Sequence, residues 1–492
     1  MKLEYGNIWR NQHLIDNPLS NRRMFINAVI SVVLGAVIGI YITTAPSLFE
    51  VAAIIAGLMF VAVATTNLEI GLYALIFTTY IRLSDVLIHY HGAPSIAKPL
   101  IAFLFAAILL RVLMTRQVPR GWILPTVLTL VYGVVIFMSL FVASDMSSAS
   151  TAIEDYIKDA IIIVVIVLTM QTKKDFHRTL WVLLAAGIFL GSISSYQYLT
   201  DSFYTNFGGF AQSNLQHIIG TSESERIAGP IGDPNFYAQV MLVLVPIAFY
   251  LFWVEKNILL RACAGLALAL SAATVVFTFS RGGLLAMAGA IGLAVLYRRP
   301  KVLELLLILM VGIAMIRFVP PSYLERMQTM VDLVTGKIDP SQEISFRGRA
   351  SELIAAWQMF RDYPILGVGV ENYPNFYQEY SRKIGLDPRT EARTPHNLYL
   401  EVAAETGIAG ILAFGALIYV SLMSIYRAVR KFQEAGLKNY SLMAAGFGFG
   451  MLGYFAAAMF IHGAFPRYLW MLVGIALALP QVASSPDETY DV

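Results

Sequence analysis

Apolar runs long enough to cross a bilayer recur along nearly the whole chain. A hydrocarbon core of about 30 Å asks for about 20 apolar residues per helix, and roughly fourteen segments meet that length. They lie near 24–45, 48–66, 70–89, 97–114, 122–143, 153–170, 177–200, 234–255, 258–279, 281–297, 302–319, 397–424, 440–462 and 467–483. The pattern predicts an all-α polytopic membrane protein with about 12–14 transmembrane helices, twelve if two runs are re-entrant. Two polar stretches interrupt it, 201–233 and 320–395. No Pro/Ser/Gly-rich or charge-rich linker divides the chain, so 1–492 reads as a single integral membrane domain, with 320–395 inserted between transmembrane helices as an external loop or cap. Inside that loop the spacing of Arg349–Phe360 predicts a helix, with Leu353, Ala356, Trp357 and Phe360 on one apolar stripe and Pro364 ending it. The aromatic content of the loop favours an ordered cap containing short helices.

Composition agrees with the pattern: 57% of residues are hydrophobic, 14% are charged and the mean hydropathy is +0.65. A water-soluble domain carries about a quarter charged residues. Alternating the spans places 1–23, 115–121, 171–176, 256–261, 298–301 and 425–439 on one side, with Arg22, Arg23, Lys173, Lys174, Arg298, Arg299, Arg427 and Lys431. The positive-inside rule makes that side cytoplasmic, with both termini inside and both long polar segments outside. The nine Lys and Arg of 320–395 do not overturn this, because loops of that length cross largely regardless of charge. Thirty-five basic against 32 acidic residues, a net charge of +3, give no reason to expect a nucleic-acid partner. The single cysteine, Cys263, excludes an intrachain disulfide and a thiolate-rich metal site. The polar, basic residues before Met24 lack the apolar core and cleavage site of a removable signal peptide.

The sharpest polar segment is Thr394-Pro395-His396-Asn397, at the start of a long apolar run. With Thr394 as N-cap and Pro395 as first helical residue, His396 falls in the first turn, where the helix dipole disfavours imidazolium and keeps the ring available as a base. For a lone histidine there, contact with water or lipid head groups is the favoured reading, and the rest of the motif shifts the balance. His396-Asn397, nine residues, then Gly407-Ile408-Ala409-Gly410 resembles the H-[NSQ]-x9-G-x-x-G pattern of the O-antigen ligase family, whose superfamily includes O-antigen polymerases and protein O-oligosaccharyltransferases. Arg226-Ile227-Ala228-Gly229 before Asp233-Pro234-Asn235, then Ser280-Arg281-Gly282-Gly283, then Pro364-Ile365-Leu366-Gly367-Val368-Gly369 look like family segments in family order, over roughly 220–475.

The resemblance implies transfer of a glycan from an undecaprenyl-diphosphate carrier to an acceptor hydroxyl on glycan, lipid A-core or protein. It places this at the outer face of the bacterial inner membrane, with no metal or nucleotide cofactor. It implies His396 as base and arginines on the diphosphate: Arg281, Arg226, and Arg347 or Arg349. Residue chemistry points the same way, since attack at an anomeric carbon needs a proton acceptor and cations for the departing diphosphate. Helix starts at Asp233-Pro234 and Ser280-Arg281 would add anion-binding N-termini. Each residue also has a plainer reading: snorkelling for Arg281, a solvated charge for Arg226, an ion pair with Glu343 or Glu352 for Arg347 and Arg349.

Second-rank candidates are Asn397; Glu401 and Glu405, about 7 and 13 Å deeper along the same helix; Arg82, three residues from Asp85; and Arg467, at a turn with His462. Arg82 and Asp85 fit a substrate cavity or a structural ion pair alike. Arg382, Lys383, Arg389 and Arg393 fit a positive funnel or a solvated loop. His89 and His91 lack a third ligand, so no metal site is expected. The same superfamily offers a polymerase and a protein glycosylase as alternatives, and a secondary transporter would also explain many spans with a few buried charges.

Overall fold

A computed structural model describes residues 67–216, 224–299, 344–387, 392–463 and 467–486, together with Ala64, Gln328 and Thr335. The predicted spans 24–45 and 302–319, most of 48–66 and most of 320–343 lie outside the described residues. The chain divides into two compact units, Met1–Gly71 and Leu72–Val492. Of the first, Ala64 and residues 67–71 are described.

The helices are α1 (Leu68–Tyr80), α2 (Leu83–His91), α3 (Ala97–Thr115), α4 (Ile123–Ser139), α5 (Met146–Thr169) and α6 (Lys173–Leu199). After them a two-stranded antiparallel hairpin, β1 (Gln212–Gln216) and β2 (Ser224–Gly229), leads into α7 (Pro234–Val254), α8 (Ile258–Phe277) and α9 (Arg281–Arg298). Then come α10 (Ile344–Asp362), α11 (Tyr373–Ile384), α12 (Leu398–Glu434), α13 (Lys438–Ala457) and α14 (Arg467–Ala483). Among the described residues seven helices are long and apolar enough to cross a membrane, and α1 with α2 meets the same measure as a pair bent by 55°, the geometry of a broken span or a re-entrant loop. The protein is an all-α polytopic membrane protein. The hairpin is the one departure among the described residues, in a polar stretch with no strand periodicity to announce it.

The interior is apolar, and much of the surface is apolar as well. Leu113, Leu130, Val134, Phe137 and Leu296 stand exposed on α3, α4 and α9, as lipid-facing side chains do, while Arg226, Glu352, Glu401 and Glu405 are buried. The α7 helix is enclosed by α8, α9 and α13 and buried over 89% of its apolar window. Small residues allow that approach: a Cβ at Gly450 of α13 would meet the Val243 carbonyl of α7 at 2.5 Å.

Helix ends follow polar caps. Asp233 accepts hydrogen bonds from the Asn235 and Phe236 amides with Pro234 opening α7, and Ser280 accepts from Gly283 to open α9. These two starts, Arg226 of the hairpin and Phe460 and Ile461 of the turn 458–463 meet around one cleft. Basic residues mark the end of α14, where Lys173 bonds the Ser485 carbonyl (2.6 Å) and Lys431 bonds Ser484 (2.8 Å).

Candidate active site

The α10 helix turns a narrow face inward. Ser351, Glu352, Ala355, Ala356 and Met359 are buried against Tyr373 and Tyr377 of α11 and Ala404 of α12. This replaces the expected stripe: Trp357 is 51% exposed, because paired alanines let the tyrosine rings lie close and the large indole has no room there. A carboxylate is thereby carried into the interior, which is costly unless it is paired. Glu352 is paired twice. Its Oε2 lies 2.8 Å from Nδ1 of His396, and its Oε1 accepts from Nη1 of Arg393 at 3.1 Å. The Tyr373 hydroxyl donates to the Glu352 carbonyl at 2.8 Å. With Nδ1 engaged by Glu352, Nε2 is the ring nitrogen turned away from the carboxylate.

His396 precedes α12 instead of lying in its first turn. The N-cap is Asn397, whose side chain accepts from the Tyr399 and Leu400 amides, and Thr394 and Pro395 remain outside the helix. A carboxylate, not the helix dipole, therefore faces the imidazole. Asn397 Nδ2 donates to the Met459 carbonyl (3.1 Å) and the Leu398 amide to Ala458 (2.9 Å), tying the start of α12 to the turn after α13. From that turn His462 places its ring edge-on, 5.6 Å from the His396 ring centre. Burial and the neighbouring His396 hold His462 below the usual histidine range.

A narrow cleft of about 30 Å³ collects three predicted arginines, Arg226, Arg281 and Arg349, beside Asn235, Ser280 and Ile461. Arg226, 5% exposed, is held by Nε to the Thr278 carbonyl (2.8 Å) and Nη2 to Asn235 Oδ1 (3.0 Å). Its position on β2 explains why the hairpin matters. Among the described residues no carboxylate lines the cleft. Arg347 is not part of it: two helical residues from Arg349 it faces elsewhere, and its Nε is buried with no hydrogen-bond partner among the described residues. Cleft and dyad share two elements. Arg349 and Glu352 are one turn apart on α10, and Ile461 of the cleft adjoins His462.

The two glycine motifs explain each other. Within α12 the chain breaks at Gly407, with φ 65° and ψ −158°, a conformation that side chains other than hydrogen do not tolerate. The segment Pro364–Gly369 runs along this break: Ile408 N donates to Pro364 O (2.8 Å), Val368 N to Ala404 O (2.9 Å) and Gly369 N to Glu405 O (3.0 Å). A Cβ on Gly407 would strike the Ile365 carbonyl, and one on Gly367 the Glu405 backbone. Glu405 supports the same junction, accepting from the amides of Glu371 (2.9 Å) and Tyr373 (3.2 Å). Glu401 accepts from the Gly463 amide at 2.7 Å. Both acids thus hold backbone in place, and neither meets His396.

The other second-rank residues lie elsewhere. Arg82 occupies the bend between α1 and α2 and pairs with Asp85 at 2.8 Å. Arg467 stands 3.8 Å from both Asp85 and Asp159, so it joins that group and not His462. His89 and His91 bond the carbonyls of Asp85 (2.8 Å) and Gly208 (3.0 Å). Arg382 and Lys383 are exposed, and Arg389 lies outside the described residues. Among the described residues no group of three or more His, Cys, Asp or Glu side chains is placed to hold a metal.

Glu352 is the residue that sequence reasoning missed, having entered only as an ion-pair partner for the loop arginines. Its buried position on α10, not its spacing from His396, marks it. Compared with known proteins, the chain matches the sequence model of the O-antigen ligase family over residues 266–415. Among curated proteins nothing matches.

Proposed function

We propose, for a chain whose residues 266–415 match the sequence model of the O-antigen ligase family, an inverting glycosyltransferase that moves a glycan from an undecaprenyl-diphosphate carrier to an acceptor hydroxyl. The observation that carries the reading is the Glu352–His396 pair set beside a three-arginine cleft by a single helix, α10. Nε2 of His396 takes the proton of the acceptor hydroxyl as its oxygen attacks the anomeric carbon, and Glu352 balances the imidazolium that forms. The bond from that carbon to the diphosphate breaks with its electron pair leaving on the diphosphate oxygen, where Arg226, Arg281 and Arg349 meet the charge. One displacement inverts the anomeric configuration.

In this reading the site faces the exterior of the inner membrane with both termini in the cytoplasm, an orientation that the distribution of Lys and Arg supports, and 320–395 is an external cap. The acceptor is glycan, lipid A-core or a protein hydroxyl. Lipid-linked glycan given to the purified protein with candidate acceptors tests the reaction: a new glycosidic product is expected. The base is tested with His396→Ala, for which turnover falls about 10²- to 10⁴-fold; undiminished product from that variant refutes the assignment. A ladder of repeats would identify polymerisation, and one transfer per acceptor ligation.

A further inference from the structure

A second polar cavity, of about 290 Å³, lies between the α1–α2 bend, α5 and the start of α14. That is the scale at which small-molecule sites begin, about 300 Å³. Arg82, Asp85, Asp155, Asp159, Phe236 and Arg467 line it. Its chemistry contrasts with the arginine cleft. The carboxylates of Asp85, Asp155 and Asp159 are set against Arg82, Lys158 and Arg467, so the charges cancel within the group. A diphosphate would meet three carboxylates here. A neutral ligand rich in hydroxyls would meet donors and acceptors on every side.

Asp159 shows what such a ligand would complete. Its side chain is 1% exposed and Oδ1 has no hydrogen-bond partner among the described residues. Its cation, Nε of Arg467, stands at 3.8 Å, beyond hydrogen-bond reach. A buried acceptor in that state invites a hydroxyl donor. In the same lining the rings of Phe236 and Tyr468 meet edge to face at 5.9 Å, giving an apolar surface for the C–H face of a sugar. The Tyr468 hydroxyl is already engaged with the Tyr80 carbonyl at 3.0 Å, which leaves the ring face as its contribution.

Position joins this cavity to the reaction. Asn235 lines the arginine cleft and Phe236, the next residue of α7, lines the cavity. We propose that the cavity is a carbohydrate subsite holding a neutral sugar ring of one of the two substrates, with Asp159 Oδ1 accepting a sugar hydroxyl. This rests on the glycan-transfer reading above and extends it to where the sugar sits.

The test uses the full chain in nanodiscs and two probes: the oligosaccharide released by mild acid from the cell's lipid-linked glycan, and the isolated acceptor glycan. Saturation-transfer NMR reads binding, and transfer assays read KM and kcat for donor and acceptor separately. Asp159→Leu removes both acceptor oxygens at nearly constant volume, and Ala97→Phe puts a ring into the cavity while every charged side chain of the lining is kept. Both variants should weaken binding of one probe at least tenfold and raise KM for the matching substrate by a similar factor, with kcat within threefold of wild type. The probe affected names the source of the sugar. Wild-type binding of both probes by two folded variants overturns the subsite, as does competition of the probe by inorganic pyrophosphate that these variants relieve. Absence of any transfer by the wild type would count against the reaction itself, and the binding measurement still decides the subsite.

Discussion

At the scale of single residues, the site depends on Glu352 reaching His396 from a different helix. Glu352→Gln keeps the shape but loses the charge that steadies the imidazolium, so kcat should drop at least about tenfold with the donor KM little changed. Glu352→Asp should recover part of the loss. Kinetics in which only KM moves would make Glu352 a structural group. The arginines separate by the same measurement: Arg349→Ala should raise the donor KM roughly 10- to 100-fold, the worth of one hydrogen bond to a charged group, whereas Arg347→Ala should leave it near wild type. The neighbouring His462 predicts a pH effect. Burial, then His396, lowers its proton affinity below the ordinary value of 6.5, while Asp233 and Glu352 pull weakly the other way. The folded protein therefore binds fewer protons than the unfolded chain, and stability rises with pH across this window. The contribution is full above about pH 6.5 and is lost as pH falls through the lowered folded value. Melting temperatures measured from about pH 7.5 down to 5 should decline, and less steeply in His462→Gln; equal slopes would remove His462 as the cause.

Among elements, the junction between Pro364–Gly369 and the break in α12 sets the geometry of the site, since it fixes α11 and the end of α10 against the helix that follows His396. Gly407→Ala must adopt a backbone conformation reserved for glycine and also displace the Ile365 carbonyl. A loss of about 2–4 kcal/mol is expected, seen as a fall in melting temperature in detergent larger than that for Gly415→Ala, where a Cβ meets nothing. Helix positions, the Asp233 and Ser280 caps and the order of motifs were legible in the sequence, because apolar length and capping chemistry act locally. The N-cap of α12 was not. Thr394 and Asn397 are both good caps, and the bond from Asn397 to Met459, 62 residues away, is what selects the second.

For the whole molecule, exposed leucines and phenylalanines on α3 and α4 and buried acids and arginines at one end describe a protein dissolved in lipid with a wet, charged end. The proposed orientation is open to a direct check. In a Cys263→Ala background, Leu386→Cys near the site and Glu434→Cys at the basic end are both exposed positions. An impermeant maleimide should label the first in intact cells and the second after permeabilisation; the reverse pattern would invert the topology.

What the sequence determined by itself is the class of molecule and the chemical vocabulary of its site: a helical membrane protein with a histidine, arginines and helix starts in family order. These follow from periodicity, composition and short-range capping, which every residue reports locally. Tertiary structure alone decided that Arg349 and not Arg347 joins Arg226 and Arg281, that Glu405 braces a loop, and that a buried glutamate meets His396. Those outcomes depend on which helix faces turn inward once α10, α11 and α12 pack, and such a choice is made by the whole core, not by any one segment.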